Sequence, residues 1–137
     1  MALSATDRLD LIDLYARAAH HLDAGEPEQY VALFTHDGVY IRQAGEAEVS
    51  RHRGAAQLLA FAREVAAGAG RDGQHWNSNI LIESTADGAN GTCHMMRVLT
   101  DATARSHRIT LAGRYQDRFV RTATGWRFRE RRSIEPA

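Results

Sequence analysis

The clearest periodicity in the chain runs over residues 5–23, where Leu11, Ile12, Tyr15, Ala18, Ala19 and Leu22 recur at helical spacing and form one apolar stripe. Ser4 or Thr6 can cap the start, with Asp7 and Asp10 favourable in the first turns. Gly25 stops this helix, and Pro27 fits the first turn of a second one running to about Phe34, buried through Ala32, Leu33 and Phe34. His36-Asp37-Gly38 then turns the chain into a strand at Val39-Tyr40-Ile41, and a short polar hairpin follows around Gly45. A third helix spans about Gly54 to Ala67, with Leu58, Leu59, Phe61, Ala62 and Val65 on its buried side. The glycine-rich run from Ala66 to Gly73 reads as a mobile loop, either a plain connection or a lid.

From Gln74 onward the period changes to two. Strand-like runs occupy about 74–84, 90–100, 106–121 and 125–134, with turn chemistry at 86–90 and at Ala123-Thr124-Gly125. Leu111, Gly113 and Tyr115 share one face, opposite Arg114, Gln116 and Arg118, and Gly113 inside the run predicts a bend or bulge. Trp126 and Phe128 alternate with Arg127, Arg129 and Arg131, which puts those arginines toward solvent or a subunit partner. Helices followed by a meander predict an α+β fold, with helices covering one face of a bent, largely antiparallel sheet, in one domain over residues 1–137.

Composition narrows the function. The 17 basic residues other than histidine are all Arg and are matched by 17 acids, so the formal net charge is zero. That balance argues against a nucleic-acid partner, and the absence of Lys beside many alanines fits a GC-rich bacterial genome. Cys93 is the single cysteine, which excludes an internal disulfide and a Cys-based metal site; it reads as a small buried strand residue. His20 and His21, adjacent on a helix, cannot chelate a metal from one face, and no metal or redox cofactor is expected. No apolar run approaches the ~20 residues that span a bilayer, and no secretion signal is visible. A cytoplasmic protein is expected.

The candidate chemistry centres on Gln74-His75-Trp76-Asn77-Ser78-Asn79, where imidazole, indole and amide groups open an otherwise apolar strand. Such groups are costly to bury without partners. The proposed partner of His75 is Asp23, in the last turn of the first helix. A carboxylate there faces the negative end of the helix dipole, a cost that a hydrogen-donating imidazole offsets. The pairing fixes the tautomer of His75 and leaves its other nitrogen for proton transfer. The plainer alternatives are that Asp23 caps the second helix or closes the turn, and that His75 is a satisfied structural histidine. Tyr15, Tyr40, Trp76, Asn79, Met95, Arg97 and Tyr115, with His107, are candidate cavity residues that bind substrate; for Tyr15, packing is the competing role.

Three stretches resemble the SnoaL-like branch of the NTF2-like superfamily. They are Leu14-Tyr15-Ala16-Arg17 through Leu22-Asp23-Ala24-Gly25-Glu26 to Leu33-Phe34-Thr35-His36-Asp37-Gly38-Val39, the strand from His75 to Asn79, and the run from Gly113 to Phe119 followed by Gly125-Trp126-Arg127-Phe128 and Arg131. The resemblance covers about residues 6–133. It implies a cone of three helices wrapped over a strongly curved mixed sheet around an apolar cavity. Dehydratases and a dehydrochlorinase of this kind place an Asp and a His where Asp23 and His75 stand. Ketosteroid isomerase instead needs a carboxylate where Ile41-Arg42 lies and a tyrosine near Ala18. Some dehydratases carry a second His near Thr100 or a Tyr near Leu22 or Ala18, and this chain has neither.

The resemblance therefore implies a cofactor-independent lyase, isomerase or cyclase acting on a hydrophobic, cyclic small molecule, assembled as a homodimer or homotrimer. Its alternative is a non-catalytic ligand-binding or oligomerisation member, like the small subunit of ring-hydroxylating dioxygenases.

Overall fold

The computed structural model describes residues 2–69 and 72–137. The first helix, α1 (Ala5–Asp23), is capped by Ser4: its hydroxyl accepts from the Asp7 N–H at 3.0 Å, and the Asp7 carboxylate accepts from the Ser4 N–H at 2.9 Å. This reciprocal box satisfies two end donors at once and selects Ser4 over Thr6 as the cap. Asp7 also accepts from Trp126 Nε1 at 3.1 Å and from Arg121, which pins the start of α1 to the last hairpin. Gly25, at φ 69°, turns the chain out of the helix in a conformation open to glycine.

The second helix, α2 (Pro27–Val31), is shorter than the run to Phe34 that composition suggests. The Leu33 carbonyl accepts from the Phe128 N–H at 2.9 Å and Phe34 pairs with Phe128, so the sheet claims these residues as the start of β1 (Phe34–Ala44). Tyr30 carries the burial of α2, and Ala32 is exposed. The expected His36-Asp37-Gly38 turn survives as an irregularity between Phe34 and Val39. A tight turn at Gly45 leads into β2 (Ala47–Arg53), and α3 (Gly54–Ala69) follows directly. Helix thus extends into the expected 66–73 loop, of which residues 70 and 71 lie outside the described residues.

The remaining strands are β3 (Gly73–Ser84), β4 (Ala89–Asp101), β5 (Ser106–Thr122) and β6 (Gly125–Glu135). The described residues form a six-stranded sheet in the order β2-β1-β6-β5-β4-β3. Every pair is antiparallel except β1 with β6, which makes the sheet mixed. Packing of α1 on β3 and of α3 on β1 covers one face. Between them Tyr15, Phe34, Phe119 and Phe128 interlock at ring-centroid distances of 4.9 to 6.2 Å, in the tilted and edge-on geometries aromatic rings prefer.

Two strand readings need correction. Phe119 pairs with Phe128 and Arg118 with Glu130, so Arg129 is an extra, unpaired residue. A bulge of one residue reverses the alternation beyond it. Arg131 therefore points inward and is 1% exposed, whereas Arg127 and Arg129 keep the outward direction expected of all three. Gly113 itself pairs regularly with Met95; the bulge in this strand falls at Thr110, left unpaired between the pairs Val98–Ile109 and Arg97–Leu111. The lack of a side chain at Gly113 answers instead to β6, because a Cβ there would overlap the Ile134 carbonyl.

Cys93 is buried, as expected of a small strand residue, and burial pushes its thiol up to about 11. The folded chain holds this proton more tightly than the unfolded chain, whose thiol titrates near 9.0. The stabilising contribution is therefore complete below pH 9 and is lost as pH rises toward 11. Iodoacetamide at pH 8 should leave Cys93 unmodified in the native protein and label it rapidly in denaturant, and denaturation midpoints should fall from pH 9 to 11.

Candidate active site

Asp23 is the last residue of α1, and the turn at Ala24 and Gly25 leaves its carboxylate beside the start of β3. There it accepts from the His75 backbone N–H through both oxygens, at 3.1 and 3.0 Å, and lies 2.7 Å from His75 Nδ1. These donors supply the positive character that a carboxylate at a helix C-terminus lacks. The capping alternative falls away, since the N-cap of α2 is Glu26 and no side chain makes a capping hydrogen bond there. The side chains of His75 and Asp23 are 10% and 23% exposed, so the contact is largely screened from water.

His75 opens onto a cavity of about 380 Å³ between α3 and the sheet. Its apolar lining includes Tyr40, Phe61, Val65, Met95, Leu111 and Tyr115. Arg42, Arg97, Ser133 and Glu135 supply the polar groups, with Arg42 held 3.4 Å from Glu135. The Tyr40 ring packs on Phe61 at 4.5 Å, and His52 stacks on the same ring at 4.4 Å, which fixes that wall. Burial raises the phenols of both Tyr40 and Tyr115, so both remain protonated hydrogen-bond donors at neutral pH.

Two larger hollows, of about 530 and 430 Å³, lie elsewhere. The first is walled by Asp10, Asp13 and Arg17 on the exposed side of α1, and the second surrounds the exposed His94 and Arg114. Neither includes Asp23 or His75 in its lining.

Of the candidate substrate-binding residues, Tyr40, Met95, Arg97 and Tyr115 line the cavity with His75, and Tyr15, Trp76 and Asn79 do not. Tyr15 is fully buried, its ring packed edge-on against Phe119 and Phe128. Trp76 follows His75 in an extended strand, so it takes the opposite face and is 54% exposed. Asn79 has the parity of His75, but a register shift between Ser78 and Leu81 and its φ of 55° remove it from the wall; it contacts His94 at 3.0 Å instead. His107 bonds Thr100 at 2.9 Å, away from the site. Among the described residues no group of three His, Cys, Asp or Glu side chains is placed to hold a metal ion. No described helix is long and apolar enough to cross a membrane.

Sequence reasoning missed the support beneath Tyr115. Arg131 is held in a bidentate pair with Asp117, at 2.9 and 3.0 Å, and both side chains are almost completely buried. The guanidinium lies 3.8 Å from the centre of the Tyr115 ring and 4.4 Å from that of Phe128. Burial pushes the Asp117 carboxyl up, against the pull of the guanidinium. The available signal was Asp117 itself, an acid two places beyond Tyr115 on the inward face, which demands a buried cation.

A family model described as a SnoaL-like domain matches residues 4–132. The chain belongs to the SnoaL-like domain family. No curated protein matches it in sequence. Among solved structures, this SnoaL-like chain is similar to a variant of Rv3472, a protein of unknown function from Mycobacterium tuberculosis, at 26% identity and a TM-score of 0.82, over 96% of this chain and 77% of that one. It is also similar to an NTF2-like protein with a cystatin-like fold from Novosphingobium aromaticivorans, at 22% identity and a TM-score of 0.82, over 95% and 82% of the two chains. A candidate scytalone dehydratase from Novosphingobium aromaticivorans matches at 22% identity and a TM-score of 0.75, over 93% and 83%. The SnoaL-like chain thus has the α+β, NTF2-like fold.

Proposed function

We propose that this SnoaL-like protein is a cofactor-independent acid–base enzyme, a dehydratase, isomerase or cyclase, acting on a hydrophobic cyclic molecule. The observation that carries the reading is a carboxylate 2.7 Å from Nδ1 of a histidine that lines a cavity of about 380 Å³. In this reading Asp23 holds the proton on Nδ1, and Nε2 of His75 takes a proton from a carbon next to a substrate carbonyl. Tyr40 and Tyr115 donate to the carbonyl oxygen as it gains enolate character. In a dehydration the resulting imidazolium returns its proton to the departing hydroxyl, which leaves as water while the carbon–carbon double bond forms. The size falls within the range of small-molecule sites, and the aromatic and aliphatic lining suits a ring system. The likeness in fold to a candidate scytalone dehydratase is consistent with this class of chemistry. Solvent deuterium uptake at the carbon next to the carbonyl, in a panel of cyclic ketones and β-hydroxyketones, is the assay; comparing wild type with His75→Asn tests the assignment. A non-catalytic ligand carrier predicts no difference between the two.

A further inference from the structure

We propose that Arg131, which does not reach the cavity, is a positioning residue acting through Tyr115: its buried guanidinium strengthens the Tyr115 phenol as a donor to a developing oxyanion. The inference rests on the assignment of Tyr115 as a substrate donor and is independent of the role of His75.

Arg131 is 1% exposed and absent from the described lining of the cavity, whereas Tyr115 belongs to that lining. The guanidinium carbon stands 3.8 Å from the centre of the Tyr115 ring, so its charge lies over the ring face. A phenol that shares its proton with an oxyanion passes part of the negative charge into its ring. A cation over that face favours the change, most strongly where water is excluded. Asp117 accepts from Nε and Nη2 of Arg131 at 2.9 and 3.0 Å, which fixes the guanidinium plane. The two charges do not cancel at the phenol. Burial is the largest influence on Tyr115 and raises it, and Arg131 opposes that rise more strongly than Asp117 adds to it. A neutral substrate carbonyl gains little from such a donor, but an oxygen taking on enolate charge gains much, the condition for accelerating a reaction. Apolar residues of similar volume commonly serve a core as well as a buried ion pair does. Stability alone therefore does not account for a charge pair placed against a donor ring.

The test is titration of 4-nitro-1-naphtholate, an oxyanion on a two-ring frame, and of neutral 1-nitronaphthalene into the whole chain at pH 8. Wild type should prefer the anion. Tyr115→Phe should cut that preference by about tenfold or more, the scale of one charge-assisted hydrogen bond. Asp117→Leu with Arg131→Met, which removes both buried charges, should cut it by about three- to thirtyfold and leave 1-nitronaphthalene affinity unchanged. A merely structural ion pair would lower both affinities together or neither. Added to Tyr115→Phe, the paired replacement should cost no more than about twofold further, because its route through the phenol is gone. If the paired replacement does not fold, Arg131→Lys, which keeps the charge balance without the planar head group, takes its place and should lower the preference only where Tyr115 is present. Wild type that shows no preference or binds neither compound, or a Tyr115→Phe protein that keeps the full preference, overturns the donor assignment and this inference together. A preference that falls with Tyr115→Phe but not on changing Arg131, or falls equally with and without Tyr115, overturns this inference alone.

Discussion

Replacing His75 by Asn should lower turnover by about 10²–10⁴-fold if the proposed acid–base role holds, the usual contribution of a positioned general acid–base group. Asparagine keeps a donor for the Asp23 carboxylate, and the His75 backbone N–H bonds to Asp23 are independent of the ring. The fold should therefore survive, as near-ultraviolet circular dichroism and the melting temperature will show. Substrate binding should change less than kcat, because the lost interaction belongs to proton transfer. Asp23→Asn should also reduce kcat, since an amide can donate to Nδ1 and so favour the wrong tautomer. Residues that act as a unit are not additive, so the double variant should be little worse than His75→Asn alone. Turnover that is indifferent to both replacements would falsify the acid–base reading.

The second large effect concerns stability. Arg131→Met leaves Asp117 without its counter-ion at a site where the carboxyl side chain is 0% exposed. Breaking a buried pair by removing one partner costs about 3–5 kcal/mol. For a chain of this size that is a fall in melting temperature on the order of 10–20 °C. Removing both charges, in Asp117→Leu with Arg131→Met, should recover most of the loss, because no ion is then left buried alone. The single variant also gains a pH signature. An unpartnered buried carboxyl binds its proton more tightly in the folded than in the unfolded chain. Its stability is then highest below the unfolded carboxyl pKa, about 3.9, and is lost as pH rises through the higher folded value. The deficit relative to wild type should accordingly shrink as urea titrations move from pH 7 to pH 5. Equal deficits at both values would mean that Asp117 is not the group left exposed to the penalty.

The same ion pair marks where sequence reading stops. Helix α1 and the four strands after residue 72 were legible because their apolar periods are long and their turns carry glycine, asparagine or aspartate. The contact between Asp23 and His75 was legible too, since a carboxylate at a helix end needs a donor and a polar strand opening needs an acceptor. A bulge leaves no such trace. One unpaired residue at Arg129 turns an apparently simple Trp-Arg-Phe-Arg alternation into an inward Arg131. The bulge after Ser78 likewise removes Asn79 from the wall. Trp76 was excluded by parity alone, because a strand that directs His75 inward directs its neighbour outward. The end of α2 was lost for a different reason: Leu33 and Phe34 are apolar enough for either helix or sheet, and pairing with Phe128 decides it.

The acid–base role proposed for the site depends on which nitrogen of His75 carries the proton. Nitrogen-15 spectroscopy of the labelled imidazole at pH 8.5, above the ordinary histidine range, reads this directly. The account predicts a protonated Nδ1 directed at Asp23 and a bare Nε2 whose resonance moves when a cyclic ketone is added. A proton on Nε2, with Nδ1 bare, would contradict it.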